Sequence, residues 1–299
     1  MTIKHIAILG TTTIVLGATT VPHSIGLETY RKLRAKYRMN KTEEPVKRKY
    51  KNIFQEVMDD LKLEEEEKKK LQIFNVIGYD MFHAGSTSSK YGGAIGIPMH
   101  FQYTDVNSVD KDNIYLMDKP VDWGQRAGTN FLNSLILSDD AKKFAIAQEI
   151  LKVKGNQLLN LAVETLINIG IVIIVYNLLY KGFKISQRKK LVRYSFHIIA
   201  TMLGSLLYRA SAVMRNYTFE MKIDEQLAQL NPKYIEGGKE FYSKLLSRNI
   251  ALRTLLGETG PKLFTVDGNE KMFLWPRTVS IFDKKFFFES RMENTEQLV

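Results

Sequence analysis

Apolar positions in this chain are gathered into a few stretches, and the period of each stretch predicts an element. Residues 5–21 (HIAILGTTTIVLGATTV) carry no charge when His5 is neutral, 158–180 (LLNLAVETLINIGIVIIVYNLLY) hold Glu164 as their one acid, and 191–208 (LVRYSFHIIATMLGSLLY) are apolar apart from Arg193 and His197. About 20 predominantly apolar residues cross a bilayer as a helix. The second stretch meets that length and the third sits at its lower limit, with KGFKISQRKK between them as a tight turn. Together they predict a transmembrane helical hairpin. The first stretch reads as a retained N-terminal anchor, because no small-x-small cleavage site stands out after it. Residues 24–70 are expected to be helical and solvated, with Glu64–Lys68, Glu65–Lys69 and Glu66–Lys70 spaced i,i+4 in the favourable orientation.

From Leu71 to Asn130 the pattern changes to β-formers, glycines and turn signals in short alternation. Tyr91–Pro98 (YGGAIGIP) is glycine-rich without the Gly-Lys-Ser/Thr of a phosphate loop, so close-packed strands and turns explain it better. Leu137–Lys154 (LILSDDAKKFAIAQEILK) reads as a helix: Ser138 as N-cap, Asp139 and Asp140 at the positive end of the dipole, and Phe144, Ile146, Ala147, Ile150 and Leu151 on one apolar face. The fold class is therefore an α+β membrane protein, mainly helical, with a transmembrane helical hairpin, an N-terminal anchor and a small β-rich segment. Its expected divisions are 1–22 (anchor or targeting segment), 23–136 (helical then β-rich soluble region), 137–156 (a helix carrying the candidate site), 157–210 (the hairpin) and 211–299 (a C-terminal helical soluble region).

Charge sharpens this picture. The net charge is +11 over 299 residues. On a chain with apolar segments such an excess points to membrane-flanking cations or mitochondrial targeting, and no RNP motif, zinc finger or basic heptad repeat points to nucleic acid. With no cysteine in the chain, disulfides, iron–sulfur clusters and Cys nucleophiles are excluded. By the positive-inside rule the basic turn between the two spans lies on the inner side of the membrane, which for a mitochondrial protein is the matrix, and the soluble parts on the outer side, the intermembrane space, although the basic stretch after residue 21 argues the other way. A hairpin centred near residue 186 brings Glu164 level with about residue 208, which predicts a Glu164–Arg209 pair. Extended out of the bilayer, the same arithmetic sets Gln148 opposite Asp224 and Lys152 opposite Glu220.

Two motifs thus converge. Gln148-Glu149-Ile150-Leu151-Lys152 stands where a zinc peptidase carries His-Glu-x-x-His, and Glu220-Met221-Lys222-Ile223-Asp224 resembles the Glu-x-x-x-Asp motif of membrane-associated zincins. That resemblance implies Glu149 at the general-base position, Glu220 at the third ligand and Asp224 as its support, with Gln148 and Lys152 replacing both histidines. An ammonium is no zinc ligand and an amide is a poor one, so no metal, no cofactor and no catalytic residue is expected. A Lys152–Glu220 ion pair tying the two helices is the expected replacement.

A second resemblance is wider. Gly237–Gly257 (GGKEFYSKLLSRNIALRTLLG), Gly260–Thr265, Gly268-Asn269, the LSDDAKKFAIAQEI segment at 137–150 and Ile95–Pro98 resemble the transmembrane protein 177 family over roughly Val57 to Asn269. The resemblance implies a multi-pass protein of the mitochondrial inner membrane. It also implies a non-catalytic role in cytochrome c oxidase assembly, with oxidase subunit 2, its assembly chaperone and the lipid bilayer as partners. Arg248 and Arg253 are the partner-binding candidates, against a plain solvated face on a core helix lined by Phe241, Leu245, Leu246, Ile250, Leu252 and Leu255. The alternatives are a membrane metallopeptidase of unusual ligation, with His83 or His100 supplying a nitrogen, and a channel. The last thirty residues, with Phe286-Phe287-Phe288, match no motif.

Overall fold

The computed structural model describes residues 17, 18, 20–155, 157–271 and 279–296, so the expected anchor at 1–22 lies almost wholly outside the described residues. In chain order the elements are helices α1 (Leu27–Arg34), α2 (Arg48–Asp60) and α3 (Glu65–Lys70), strands β1 (Leu71–Val76), β2 (Phe82–Ser86) and β3 (Gly92–Pro98), and the short strands β4 (Tyr115–Leu116) and β5 (Lys119–Pro120). Helices α4 (Arg126–Ser134), α5 (Asp139–Lys154), α6 (Gln157–Gly182), α7 (Lys190–Leu230), α8 (Pro232–Leu255), α9 (Gly260–Leu263) and α10 (Ile281–Glu296) follow.

Helix α5 begins where its sequence says it should. Ser138 Oγ accepts from the Ala141 N–H at 3.1 Å, the two aspartates occupy the first turn, and Lys152 and Lys154 lie in the last. It stops at Gly155, where a Cβ would stand 2.6 Å from the Phe219 ring of α7. The expectation of one apolar face is too narrow, since residues all round the helix are buried, Lys142, Gln148 and Glu149 among them. The reason is position: α5 is enclosed by the sheet, α2, α7 and α8. One hydrophobic cluster accordingly runs from Val46 on the way into α2 to Phe288 in α10.

The sheet has the order β1-β3-β2, with β3 parallel to β1 (Ile73 opposite Ile95) and antiparallel to β2 (Ala84 opposite Ala94). All of β3 is buried. Its glycines make that possible: a Cβ on Gly93 would meet Val153 at 2.2 Å and one on Gly96 would meet Val76 at 2.9 Å.

Two expectations for 24–70 are corrected. Helix α2 is not solvated, because Tyr50, Ile53, Phe54, Val57 and Met58 recur at helical spacing and are buried against α5. Helix α3 uses other pairs. Glu64 is its N-cap in a capping box with Glu67, and Lys68 reaches Glu65 and Asp59, each at 2.7 Å. Lys68 leaves the i,i+4 series because Asp59, in the last turn of α2, lies within its reach.

Helices α6 and α7 form the hairpin, and both are long and apolar enough to cross a membrane. Only 6% and 0% of their apolar windows are covered by the rest of the protein, so they are not core helices. At 41 residues α7 is about 60 Å long, roughly twice the hydrocarbon thickness of a bilayer. It therefore continues unbroken into the head, where Ile223, Asp224 and Leu227 are buried. Glu164 pairs with Arg215 at 2.6 Å rather than with Arg209. Tyr208, Ser211 and Arg215 share one face of α7 at i, i+3 and i+7 and meet Thr165, Asn168 and Glu164, while Arg209 lies round the helix and is exposed.

Helices α5 and α8 approach closely at Gly237-Gly238: a Cβ on Gly237 would stand 2.4 Å from the Asp140 carbonyl oxygen. Gly237→Ala is expected to cost about 1–3 kcal/mol through forced separation of the helices. Gly170→Ala, which meets nothing within 4 Å, serves as the control. Melting temperatures of the detergent-solubilised variants test this, and equal values would show that the helices do not depend on that contact.

Candidate functional site

Four helices and a strand bring a cluster of polar side chains together above the hairpin. Gln148, Glu149 and Lys152 come from α5, Glu220 and Asp224 from α7, Tyr242 from α8, Lys284 from α10 and His83 from β2. Glu149 lies between two partners: Lys152 Nζ donates to its Oε1 at 2.7 Å, and His83 Nδ1 is 2.5 Å from its Oε2. Burial raises the Glu149 carboxyl, but the charges of Lys152 and His83 outweigh it and bring it down to about 2. Lys152 responds in kind. Burial lowers it, and Glu149, with Glu220 and Asp224 behind it, drives it above its ordinary value.

Asp224 has no exposed surface. Gln148 Nε2 donates to Asp224 Oδ1 at 2.8 Å and to Tyr242 Oη at 2.5 Å, and the Tyr242 hydroxyl donates back to Asp224 at 3.1 Å. Lys284 Nζ is 2.6 Å from Glu220 and 3.6 Å from Asp224, and it also lies 5.4 Å from the Tyr242 ring centre. Burial raises the Asp224 carboxyl against the pull of Lys284, Gln148 and Tyr242, while burial and the Asp224 charge push the Tyr242 hydroxyl well up.

Gln148 meets Asp224 as the mirror arithmetic predicts. The expected Lys152–Glu220 pair does not form: Lys152 has Glu149 one turn away on its own helix, and Lys284 already closes on Glu220. The sequence reading missed Lys284. No sequence signal singled it out: Lys284 shares a face of α10 with Phe288 four residues on, and only the fold shows that Phe288 is fully buried. Phe288 packs edge-on to Phe144 of α5 at 5.1 Å, which gives the unmatched aromatic run its place in the core.

Arg248 is no solvated docking residue. It is buried, pairs with Asp80 at 2.7 Å and donates to the Tyr79 carbonyl at 2.9 Å, holding the loop after β1 onto α8. Arg253 is half-buried, and its Nε is a buried donor without a partner among the described residues. On α8, Ile250 is 42% exposed, so it does not belong to the core face. His100 packs against Phe101 and Tyr79 outside the cluster, and burial, then Arg248 and Lys142, bring it down to about 3. A cavity of about 580 Å³ beside the cluster is lined by His100, Glu149, Tyr217, Tyr242 and Lys284, among others.

The zinc implied by the zincin-like spacing does not fit these residues. A divalent ion among Glu149, Glu220 and Asp224 would sit beside two ammonium groups, and the one imidazole present is already bonded to Glu149. Among the described residues no three His, Cys, Asp or Glu side chains are grouped to share a metal. What the cluster can do is fasten. It ties four separate segments of the head to the emerging end of α7.

Fold and site together define a membrane protein: an α+β head locked by buried ion pairs onto a hairpin able to span a bilayer. The family model of transmembrane protein 177 matches residues 3–275. The chain is 31% identical to transmembrane protein 177 of Rattus norvegicus over 236 residues, covering 75% of this chain and 71% of that one. It is 30% identical to the Danio rerio protein (74% and 71% covered) and 31% to the Homo sapiens protein (75% and 71% covered). The chain belongs to the transmembrane protein 177 family. No solved structure matches it.

Two consequences are measurable. Lys284→Ala leaves the buried Asp224 and the half-buried Glu220 without their cation, and a loss of about 3–5 kcal/mol is expected on unfolding in detergent, since removing one partner of a buried pair leaves an uncompensated charge. A loss below about 1 kcal/mol would mean that Lys284 is a surface pair only. The second is a pH limb. The depressed carboxyl of Glu149 contributes stability that is complete above 4.5 and drains as pH falls towards about 2. Asp224, shifted the other way, loses stability as pH rises, so it cannot supply that acid limb. Glu149→Gln should flatten the melting temperature between pH 4.5 and 2, and an unchanged slope would assign it to other carboxylates.

Proposed function

We propose that this protein is a non-catalytic scaffold of the mitochondrial inner membrane. In this reading it spans the membrane more than once and holds oxidase subunit 2 and its assembly chaperone during cytochrome c oxidase biogenesis. The observation that carries the non-catalytic part is the closure of the polar cluster. Glu149, at the position of a general base, has both oxygens engaged by Lys152 and His83, and the carboxylates of α7 are engaged by Lys284, Gln148 and Tyr242. A base held near pKa 2 takes up a proton poorly at neutral pH. The zincin-like spacing is read as the outline of a site whose metal ligands have been replaced by an ion-pair clasp. Family membership and the resemblance at Gly237–Asn269 support the assembly role.

The test is a mild-detergent capture of the tagged full chain from mitochondria, beside a Lys284→Ala chain of equal abundance. Recovery of subunit 2 and the chaperone with the intact protein is the expected result, and recovery of neither overturns the assembly role. Protease treatment of mitoplasts tests the orientation. Cleavage of the head from the outer side is expected if the basic turn lies in the matrix, and protection of the head reverses the topology.

A further inference from the structure

Between Thr165 and Phe219 the sequence contains no acid, while eight lysines and arginines fall in that span. Six of the eight crowd the hairpin tip: Lys181, Lys184, Arg188, Lys189, Lys190 and Arg193. The first five are exposed and Arg193 is half-buried, and none of the six forms a salt bridge within 4.0 Å among the described residues. Nearer the head, by contrast, Arg215 is answered by Glu164. The tip is ordered. Lys184 takes a left-handed turn at φ 49°, and Ile185 is buried beneath it as a plug. Helix α7 starts there without an acid in its first turn or a side chain capping its amides, so its dipole adds to the same sign.

What flanks the cations places them in depth. Tyr176 and Tyr180 stack 5.8 Å apart, Phe196 lies 5.6 Å from Tyr176, and Tyr194 and Phe183 are exposed at 65% and 61%. Aromatic rings of this kind concentrate at the headgroup level of a bilayer. Both helices beyond them are bare apolar surface that lipid must cover. The six cations therefore stand at the level of lipid phosphates, and each lacks a salt-bridge partner among the described residues.

We infer that the hairpin tip is an anionic-phospholipid binding site, in which the basic turn takes the phosphates of acidic lipids while the aromatic collar seats their glycerol and upper acyl regions. Phosphate-bearing lipid is favoured over an acidic protein face because the collar and the bare helices fix the cations in the headgroup layer. The inference rests on the membrane-spanning reading of the hairpin, and the experiment separates the two.

The full chain is reconstituted in nanodiscs of phosphatidylcholine mixed with phosphatidylglycerol and released into neutral detergent, and the lipids it retains are counted by native mass spectrometry. Retention of phosphatidylglycerol well above its share of the mixture is expected. Arg188→Gln/Lys189→Gln/Lys190→Gln should lower that preference by roughly five-fold per charge, the equivalent of about 1 kcal/mol each. Lys36→Gln/Lys51→Gln/Lys233→Gln, three exposed changes on the head, should leave it unchanged. Equal retention of both lipids by the intact chain, or an undiminished preference in the tip variant, overturns the inference, as does full displacement by inorganic phosphate at millimolar concentration. Alkaline extraction of the same membranes reads the other question. A chain that resists extraction without lipid preference keeps its spans and loses the site, whereas an extracted chain loses the spanning reading itself.

Discussion

Three carboxylates enclosed by protein at the base of the head, answered by two lysines and a histidine, are the constraint on which the remaining architecture depends. Moving Glu149, Glu220 and Asp224 out of water is costly, and each is tolerable only because a partner arrives with it. Those partners come from far apart in the chain: His83 from the sheet, Lys152 from the central helix and Lys284 from the last helix. The network therefore fixes more than local geometry. Each of these elements must be in place before the others are stable, which couples the sheet, the helical core and the C-terminal helix into one cooperative unit.

Helix α7 carries this constraint out of the head. Because it is about twice as long as a hydrocarbon layer is thick, one continuous helix is both long enough to cross a bilayer and a wall of the head. The glycine contacts serve the same end. Gly155 lets α5 turn away against Phe219, and Gly237-Gly238 let α8 lie almost backbone-to-backbone on α5.

Much of this architecture is legible in the sequence. Strong local signals, namely Ser138 with its two aspartates, the long apolar stretches and the glycine-rich strand, gave elements in the right places because each depends on residues close in sequence. The meeting of Gln148 with Asp224 was also legible, since an antiparallel hairpin relates distant positions by simple reflection. Reflection failed where rotation about the helix axis mattered. It ranks residues by height alone, so it chose Arg209 for Glu164 when the face of α7 selects Arg215. It failed for Lys152 as well, because nothing in a two-helix argument anticipates a third helix delivering Lys284.

The sequence by itself determined the apolar helical hairpin, the small sheet, the central helix and the family, all of which rest on composition and local pattern. Only the tertiary structure decided which charges meet. It turned Arg248 inward to Asp80, enclosed α5 on every side and brought the unmatched C-terminal aromatics into the core. The physical reason is that the worth of a buried charge is set by its partner and its distance from water. Both are properties of three-dimensional packing that no one-dimensional period records.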